Sequence, residues 1–164
     1  MKDLLLITPP FTQLNTPYPA TAYLKGFLNT KNISSYQIDL GIEVILEIFS
    51  KKGVTEIFNV KPENLSENAQ RIFALKEEYI KTIDEVIAFL QNKKPTLARQ
   101  ICSMNFLPEA SRFNQLDDME YAFGNMGLQD KAKHLATLYL EDLSDYIIEN
   151  VDENFGFSRY AERL

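Results

Sequence analysis

Cysteine, histidine and tryptophan are nearly absent from this chain of 164 residues. It contains one cysteine, Cys102, one histidine, His134, and no tryptophan. A single cysteine excludes an internal disulfide, and one cysteine with one histidine cannot complete a structural zinc site. We therefore expect no protein-bound metal, and this sparse cysteine usage fits a reducing, cytoplasmic compartment.

Basic clusters and long apolar runs are missing as well. The net charge is −6, whereas binding to a nucleic-acid backbone needs a basic face. No apolar run approaches the roughly 18 residues that span a bilayer. We therefore expect neither nucleic acid nor a membrane as partner, and the apolar content of 45% is typical of a globular domain.

The first forty residues have the pattern of a parallel βαβ unit. Residues 4–8 form a uniformly apolar run that ends at Pro9-Pro10, which predicts a strand buried on both faces. Apolar residues recur at helical spacing from about 18 to 30, and SSYQIDL at 34–40 predicts a second strand. Two strands joined through a helix pair in parallel with a right-handed crossover.

The rest of the chain has the periodicity of helices. The sequence predicts a helix after Gly41 that ends at Gly53, then an ambiguous piece over 54–62. One long amphipathic helix follows over about 65–92, a shorter one carries Leu97, Ile101 and Met104, and a last one covers about 129–150. Loops with short helical turns are expected over 105–128.

These elements predict a mixed α/β chain that is mostly helical. We assign 1–62 to the βαβα part of an incomplete doubly wound sheet, and 63–164 to a helical insertion or helical subdomain. A doubly wound sheet has its first strand in the middle, with neighbours on both sides. With two strands, the first keeps a bare apolar edge, so we expect a homodimer that covers it.

The loop between Pro9 and Pro19 follows the first strand, where ligands bind in open parallel sheets. Its prolines hold one shape, and Phe11, Leu14 and Tyr18 give it an apolar and aromatic surface. It has no glycine-rich nest for a nucleotide phosphate. The loop is either a ligand surface or a rigid connection that packs on the core.

Asp39 ends the second strand and has two interpretations: a ligand-binding carboxylate, or the N-cap of the next helix. His134 lies off the apolar stripe of its helix, so a solvated residue is favoured over a catalytic one. Cys102 is expected to be a buried, inert thiol. Asp117, Asp118 and Glu120 are read as a solvated acidic turn, because no cation-binding loop pattern accompanies them.

A family resemblance enters at residues 4–28, LLLITPPFTQLNTPYPATAYLKGFL. The apolar strand, the double proline, the Pro-Tyr-Pro and the following Tyr-Leu-x-x-Phe-Leu resemble the start of the cobalamin-binding domain of cobalamin-type radical S-adenosylmethionine (radical SAM) proteins. The second strand, YQIDL, is also similar to that family's second strand. The resemblance covers roughly residues 3–50, and the helical remainder looks like an insertion that some members carry.

The resemblance implies a flavodoxin-like, doubly wound domain with cobalamin at its carboxyl edge. Matching positions here would be Thr8, Pro9, Pro10, Tyr18, Pro19 and Asp39. A downstream barrel would hold a C-x-x-x-C-x-x-C motif, a [4Fe–4S] cluster and S-adenosylmethionine, and none of those cysteines is in this chain. The D-x-H-x-x-G motif of base-off cobalamin proteins is absent too, so no axial histidine is implied.

The resemblance thus makes the chain an N-terminal fragment of a cobalamin-dependent radical SAM enzyme, without catalytic residues of its own. Its first partner would be the remainder of its own polypeptide. Two alternatives stay open. The chain is a self-contained helical interaction module without chemistry, or a small hydrolase or transferase that uses Asp39 and His134.

Overall fold

A computed structural model describes residues 3–9, 19–103, 105–118 and 127–156. The chain is mixed α/β and mostly helical, with one compact unit within residues 1–47 and another within 48–157. In order, the regular elements are β1 (Leu4–Thr8), α1 (Pro19–Thr30), β2 (Ser35–Asp39), α2 (Leu40–Ile48), α3 (Lys51–Asn59), α4 (Glu67–Ala74), α5 (Lys76–Leu90), a 3-10 turn (Pro95–Leu97), α6 (Ala98–Ile101), a 3-10 segment (Ser111–Asp118) and α7 (Leu128–Asn150).

The first unit is the expected parallel βαβ unit. β1 and β2 pair in parallel, with Leu4 beside Ser35 and Thr8 beside Asp39. α1 begins at Pro19, where the missing backbone N–H of proline costs the helix no hydrogen bond. The bounds of β1, β2 and α1 agree with those predicted from the sequence to within about two residues, which is the usual uncertainty of element ends.

The prediction that β1 is buried on both faces is wrong. Thr8 is buried and contacts Thr21 of α1, with 3.5 Å between the two hydroxyl oxygens, so α1 covers the face of the sheet that carries Thr8. Side chains alternate along a strand, so Leu5 and Ile7 lie on the opposite face. Both are about half exposed. The described part of this unit has two strands and one helix packed on them, so the face with Leu5 and Ile7 is bare of any described second layer.

The expected apolar stripe of α1 is also largely exposed. Tyr23, Leu24 and Phe27 are all more than half accessible, and the Lys31 ammonium lies 5.6 Å from the centre of the Phe27 ring. The face of α1 that packs on the sheet instead carries Thr21. The first unit therefore presents apolar surface on both its sheet and its helix.

The predicted helix over 42–52 is two helices. α2 ends at Ile48, and Ser50 begins a new helix because its hydroxyl oxygen accepts the backbone N–H of Gly53 at 3.0 Å. Gly53 therefore lies inside α3. The prediction that Gly53 terminates a helix is wrong. The ambiguous stretch over 54–62 is helical as far as Asn59.

The predicted long helix over 65–92 is broken at Leu75. The Leu75 backbone has φ −94° and ψ 13°, and its N–H is shared between the carbonyl oxygens of Arg71 and Ile72. α4 packs against α7, whereas α5 packs against both α3 and α7. The two halves therefore differ in their packing, because only α5 also contacts α3 among the stronger contacts.

The core of the second unit is aromatic and is centred on α7. Tyr79, Tyr139 and Tyr146 are fully buried, and Phe58 lies between them with ring centroids 5.0 Å from Tyr146 and 6.2 Å from Tyr79. The predicted last helix is confirmed, although Leu128 at its start is exposed. Among the described residues, no helix has the length and apolarity needed to cross a membrane.

The two compact units divide after residue 47, whereas the sequence placed a boundary between 62 and 63. The packing of α3 on α5 explains the difference, since it joins residues 51–59 to the helical unit. Composition marks where the strands stop, but the contacts of α3 determine to which core it belongs.

Asn92 gives a test of how α5 ends. Its φ is 58°, and the N–H groups of Asn92 and Lys93 donate to Phe89 O and Ala88 O, both at 2.9 Å, which is a Schellman motif. We expect Asn92→Ala to lower the free energy of unfolding by about 1 kcal/mol, because alanine is strained at positive φ. Asn92→Gly should be neutral or slightly stabilising.

Urea unfolding of the two variants, followed by circular dichroism, measures this difference. Equal stability of the alanine and glycine variants would contradict a left-handed residue at this position.

Candidate functional site

The carboxyl edge of the sheet brings together two of the predicted site residues. Thr8 and Asp39 are the last residues of β1 and β2 and are register partners. Neighbouring strands are about 4.8 Å apart, and paired residues in a parallel sheet have their side chains on the same face. A hydroxyl and a carboxylate therefore lie side by side where open parallel sheets bind ligands.

Asp39 is a helix cap, as one of its two interpretations predicted. Its Oδ1 accepts the backbone N–H of Ile42 at 3.2 Å, which places Asp39 at the N-cap of α2. This role uses one carboxylate oxygen. The second oxygen has no hydrogen-bond partner among the described residues, so the cap and a ligand contact are compatible.

The other four predicted site residues are prolines and a tyrosine of the connecting loop. Pro9 follows the last residue of β1 and Pro19 is the first residue of α1, and both are exposed. Pro10 and Tyr18 lie outside the described residues.

Cys102 and His134 both differ in exposure from the sequence prediction, which expected a buried thiol and a solvated imidazole. Cys102 is half-buried rather than fully buried, its Sγ lies 3.6 Å from Leu128 O, and burial raises the pKa of its thiol. A raised thiol pKa disfavours the nucleophilic thiolate. His134 is half-buried on α7. No three metal-ligating side chains cluster in the described part of the chain, and the acidic side chains of 117, 118 and 120 lie outside it.

Sequence reasoning missed the buried carboxylate of Asp142. This side chain is completely buried, and its two oxygens accept the backbone N–H groups of Ala110 at 3.0 Å and Arg112 at 3.1 Å. Tyr79 also directs its hydroxyl toward Asp142 Oδ2, at 3.5 Å. The available signal was an acidic residue three positions after Tyr139, within the apolar stripe of the last helix.

Asp142 attaches the start of the 3-10 segment, together with Ala110 just before it, to α7. Arg112 reinforces this attachment, because its guanidinium donates to both carboxylate oxygens of Asp145 at 2.7 and 2.6 Å. Both oxygens of Asp142 are already occupied by backbone donors, and its side chain has no access to solvent. The geometry therefore supports a structural attachment rather than acid–base catalysis on a substrate.

A chain of hydroxyl contacts extends from this carboxylate. The Tyr139 hydroxyl donates to Tyr79 O at 3.0 Å and lies 3.0 Å from Thr82 Oγ1, which is itself 2.7 Å from Glu78 O. Two hydroxyl protons are shared among these three contacts. Burial raises the pKa of both Tyr79 and Tyr139, so both remain neutral donors in the core.

The titration of Asp142 is a second test. Burial raises its pKa from 3.8 to about 6, against the opposing effect of the Arg112 and Ala110 N–H groups, and nearby Asp145 raises it further. The folded state then binds the proton more tightly than the unfolded state. This group should therefore lower the free energy of unfolding by roughly 2–3 kcal/mol as pH rises from about 4 to about 7.

Urea unfolding at pH 4, 5, 6 and 7 measures this dependence. Asp142→Asn should remove that part of the pH dependence, whereas Asp130→Asn, at an exposed carboxylate of the same helix, should retain it. An unchanged pH dependence in Asp142→Asn would show that another group carries it.

In comparisons with known proteins, no protein family, curated protein or solved structure matches the chain.

Proposed function

We propose that residues 3–48 supply the first βαβα part of a flavodoxin-like, cobalamin-binding domain. The complete protein would be a cobalamin-dependent radical SAM enzyme, and the 164 residues would contribute no catalytic residue. This proposal joins the resemblance of residues 4–28 and YQIDL to the structure of the first unit. It makes the helical second unit an insertion in that domain.

The observation that carries the proposal is the bare surface around β1. Of the two strands, β1 has one neighbour in the described structure, whereas a doubly wound sheet has strands on both sides of its first strand. Leu5 and Ile7 on the sheet, and Tyr23 and Phe27 on α1, are 47–79% exposed. Exposed apolar surface costs about 25 cal/mol per Å², so further strands and helices would stabilise the unit by covering it.

The carboxyl edge of the sheet fits part of a cobalamin site. Cobalamin is a broad macrocycle with amide side chains around its rim, and amides bond to hydroxyl and carboxylate oxygens. The second carboxylate oxygen of Asp39 supplies such a group, and Pro9 and Pro19 supply exposed apolar surface at the two ends of the loop. Thr8 is buried against Thr21 of α1, so its part in this proposal is to position the edge. In this proposal Pro10 and Tyr18 complete the same rim.

The chemistry of the bound groups would come from elsewhere in the protein. Cobalamin would supply a reactive cobalt–carbon bond, and S-adenosylmethionine would be cleaved at a [4Fe–4S] cluster in a downstream domain. A cluster of this kind needs three cysteine ligands in one motif, and this chain has one cysteine. The residues at the carboxyl edge of the sheet would hold and orient cobalamin.

A helical interaction module without chemistry is the second candidate. The specific observation in its favour is that the second unit has its own closed core, with Tyr79, Tyr139 and Tyr146 fully buried and Asp142 satisfied by backbone donors. The two candidates differ in what the gene encodes after residue 164. A C-x-x-x-C-x-x-C motif in frame supports the enzyme, and an immediate stop codon supports the module.

The binding test uses the complete polypeptide encoded by the gene. Titration with hydroxocobalamin, followed by visible absorption, should show stoichiometric binding. Asp39→Asn keeps a side chain that can cap α2 and removes the carboxylate charge, and should weaken binding about tenfold, the equivalent of one hydrogen bond. Asp130→Asn, at an exposed carboxylate of α7, is the matched control and should bind as the unaltered protein does.

Absence of binding by the complete polypeptide would reject the cobalamin proposal. The 164 residues alone should bind cobalamin weakly or not at all, because further strands of the sheet would be missing. They should also stay colourless after reconstitution with iron and sulfide. A brown product with stoichiometric iron would contradict the assignment of the cluster to another domain.

A further inference from the structure

Exposed apolar side chains are concentrated in the first unit. Among the described residues, ten large apolar side chains of this unit are exposed, against four in the helical unit, namely Val60, Leu128, Ile148 and Val151. The ten are Leu4, Leu5, Ile7, Tyr23, Leu24, Phe27, Ile33, Tyr36, Ile38 and Ile42. An apolar patch of this kind on one face of a folded protein marks an interaction site, and Leu5, Ile7, Tyr36 and Ile38 share the uncovered face of the sheet.

The edge of β1 that has no neighbour among residues 3–9, 19–103, 105–118 and 127–156 adds backbone hydrogen-bonding groups to this surface. The N–H of Leu4 donates to Ser34 O at 3.1 Å, so the backbone groups of Leu4 point toward β2. By the two-residue period of a strand, Leu6 and Thr8 point the same way, and Leu5 and Ile7 direct their N–H and C=O groups to the free edge. Natural edge strands are usually protected by lysine, proline or a bulge, and residues 4–8 carry none of these.

We propose that β1 pairs with β1 of a second copy of this chain, antiparallel about a two-fold axis at Leu6. The outward groups of Leu5 then exchange two hydrogen bonds with Ile7 of the second copy, and the symmetric pair does the same. Leu6 lies opposite its own counterpart as a non-hydrogen-bonded pair. The contact is isologous, so it closes as a dimer of two β2-β1 sheets joined edge to edge.

Neighbouring registers are less favourable. If the axis lies at Ile7, Leu5 falls opposite Pro9, which has no N–H to donate. If the axis lies at Leu5, the carboxylate of Asp3 falls directly against Ile7 on the apolar face. With the axis at Leu6, Asp3 falls opposite the exposed Pro9, outside the paired apolar residues.

The same register joins the bare faces of the two sheets. Leu5 and Tyr36 are register partners, as are Ile7 and Ile38, so these four side chains form one patch on the uncovered face. Pairing edge to edge extends this patch across both copies without covering it, so the area buried between two copies lies well below the size of standard stable interfaces. The dimer should therefore be a weak one, with a dissociation constant in the micromolar range.

This inference does not rest on the proposed binding of cobalamin, because it uses only the edge and the face of β1. It concerns the 164 residues by themselves. A further strand of the same polypeptide paired on β1 would occupy this edge instead. Visible absorption measures cobalamin binding, and sedimentation measures the mass of the dimer. Failure of one proposal is therefore distinguishable from failure of the other.

Sedimentation velocity from 1 to 100 µM tests the dimer. The chain should change from monomer to dimer over this range. Leu5→Lys places a charge on the paired edge and should weaken association at least tenfold. Ile148→Lys changes an apolar residue of similar exposure in the helical unit and should leave association unchanged. A monomer at every concentration, or a dimer lost in Ile148→Lys and kept in Leu5→Lys, would overturn the proposal.

Cysteine crosslinking tests the register and does not depend on the folding of Leu5→Lys. In a Cys102→Ser background, Leu6→Cys places two Cα atoms about 4.5 Å apart, within the range of a disulfide. Leu4→Cys places them about 14 Å apart, four residues along the strand. Mild oxidation should give a covalent dimer of the first variant and not of the second. Crosslinking of Leu4→Cys alone would exclude this register.

Discussion

Two parallel strands and one helix cannot bury all of their own apolar side chains. In the first unit α1 covers the face of the sheet that carries Thr8, whereas Leu5 and Ile7 on the other face are about half exposed, with no described element over them. A parallel sheet is stable when layers lie on both of its faces, because its strands are apolar on both. The exposed side of β1 therefore determines what the unit can be: part of a larger sheet, or one half of a symmetric pair.

The helical unit, by contrast, buries most of its large apolar side chains in a core of its own. Its aromatic core is closed, and the carboxylate of Asp142 and the hydroxyl of Tyr139 are hydrogen-bonded within it. Asp142 accepts two backbone N–H groups, and Tyr139 donates to a backbone carbonyl. A buried carboxylate without such donors would be strongly destabilising, so its position is set jointly by α7 and by the segment that carries Ala110 and Arg112.

The contrast between the units bears on function. A unit with a closed core has less apolar surface to cover than one with a bare edge and a bare face, which a chain that pairs there would stabilise. The carboxyl edge with Thr8 and Asp39 belongs to the incomplete unit. A ligand site at this edge would therefore be completed by the same strands that cover the apolar surface, which links folding of the domain to formation of its site.

The amino-acid sequence by itself determined the elements whose signals are local. The apolar run ending at Pro9 specified β1, Pro19 and helical spacing specified α1, and a long apolar stripe specified α7, because each depends on residues near in sequence. Asp39 as a cap also followed from its place between a strand and a helix.

Tertiary structure decided what depends on distant residues. The break at Leu75 follows from the different neighbours of α4 and α5, and the assignment of α3 to the helical unit follows from its packing on α5. The burial of Asp142 follows from N–H groups about thirty residues away. The exposure of β1 was mispredicted for the same reason: an apolar strand has the same sequence whether or not a second layer covers it, and burial is a property of the layers.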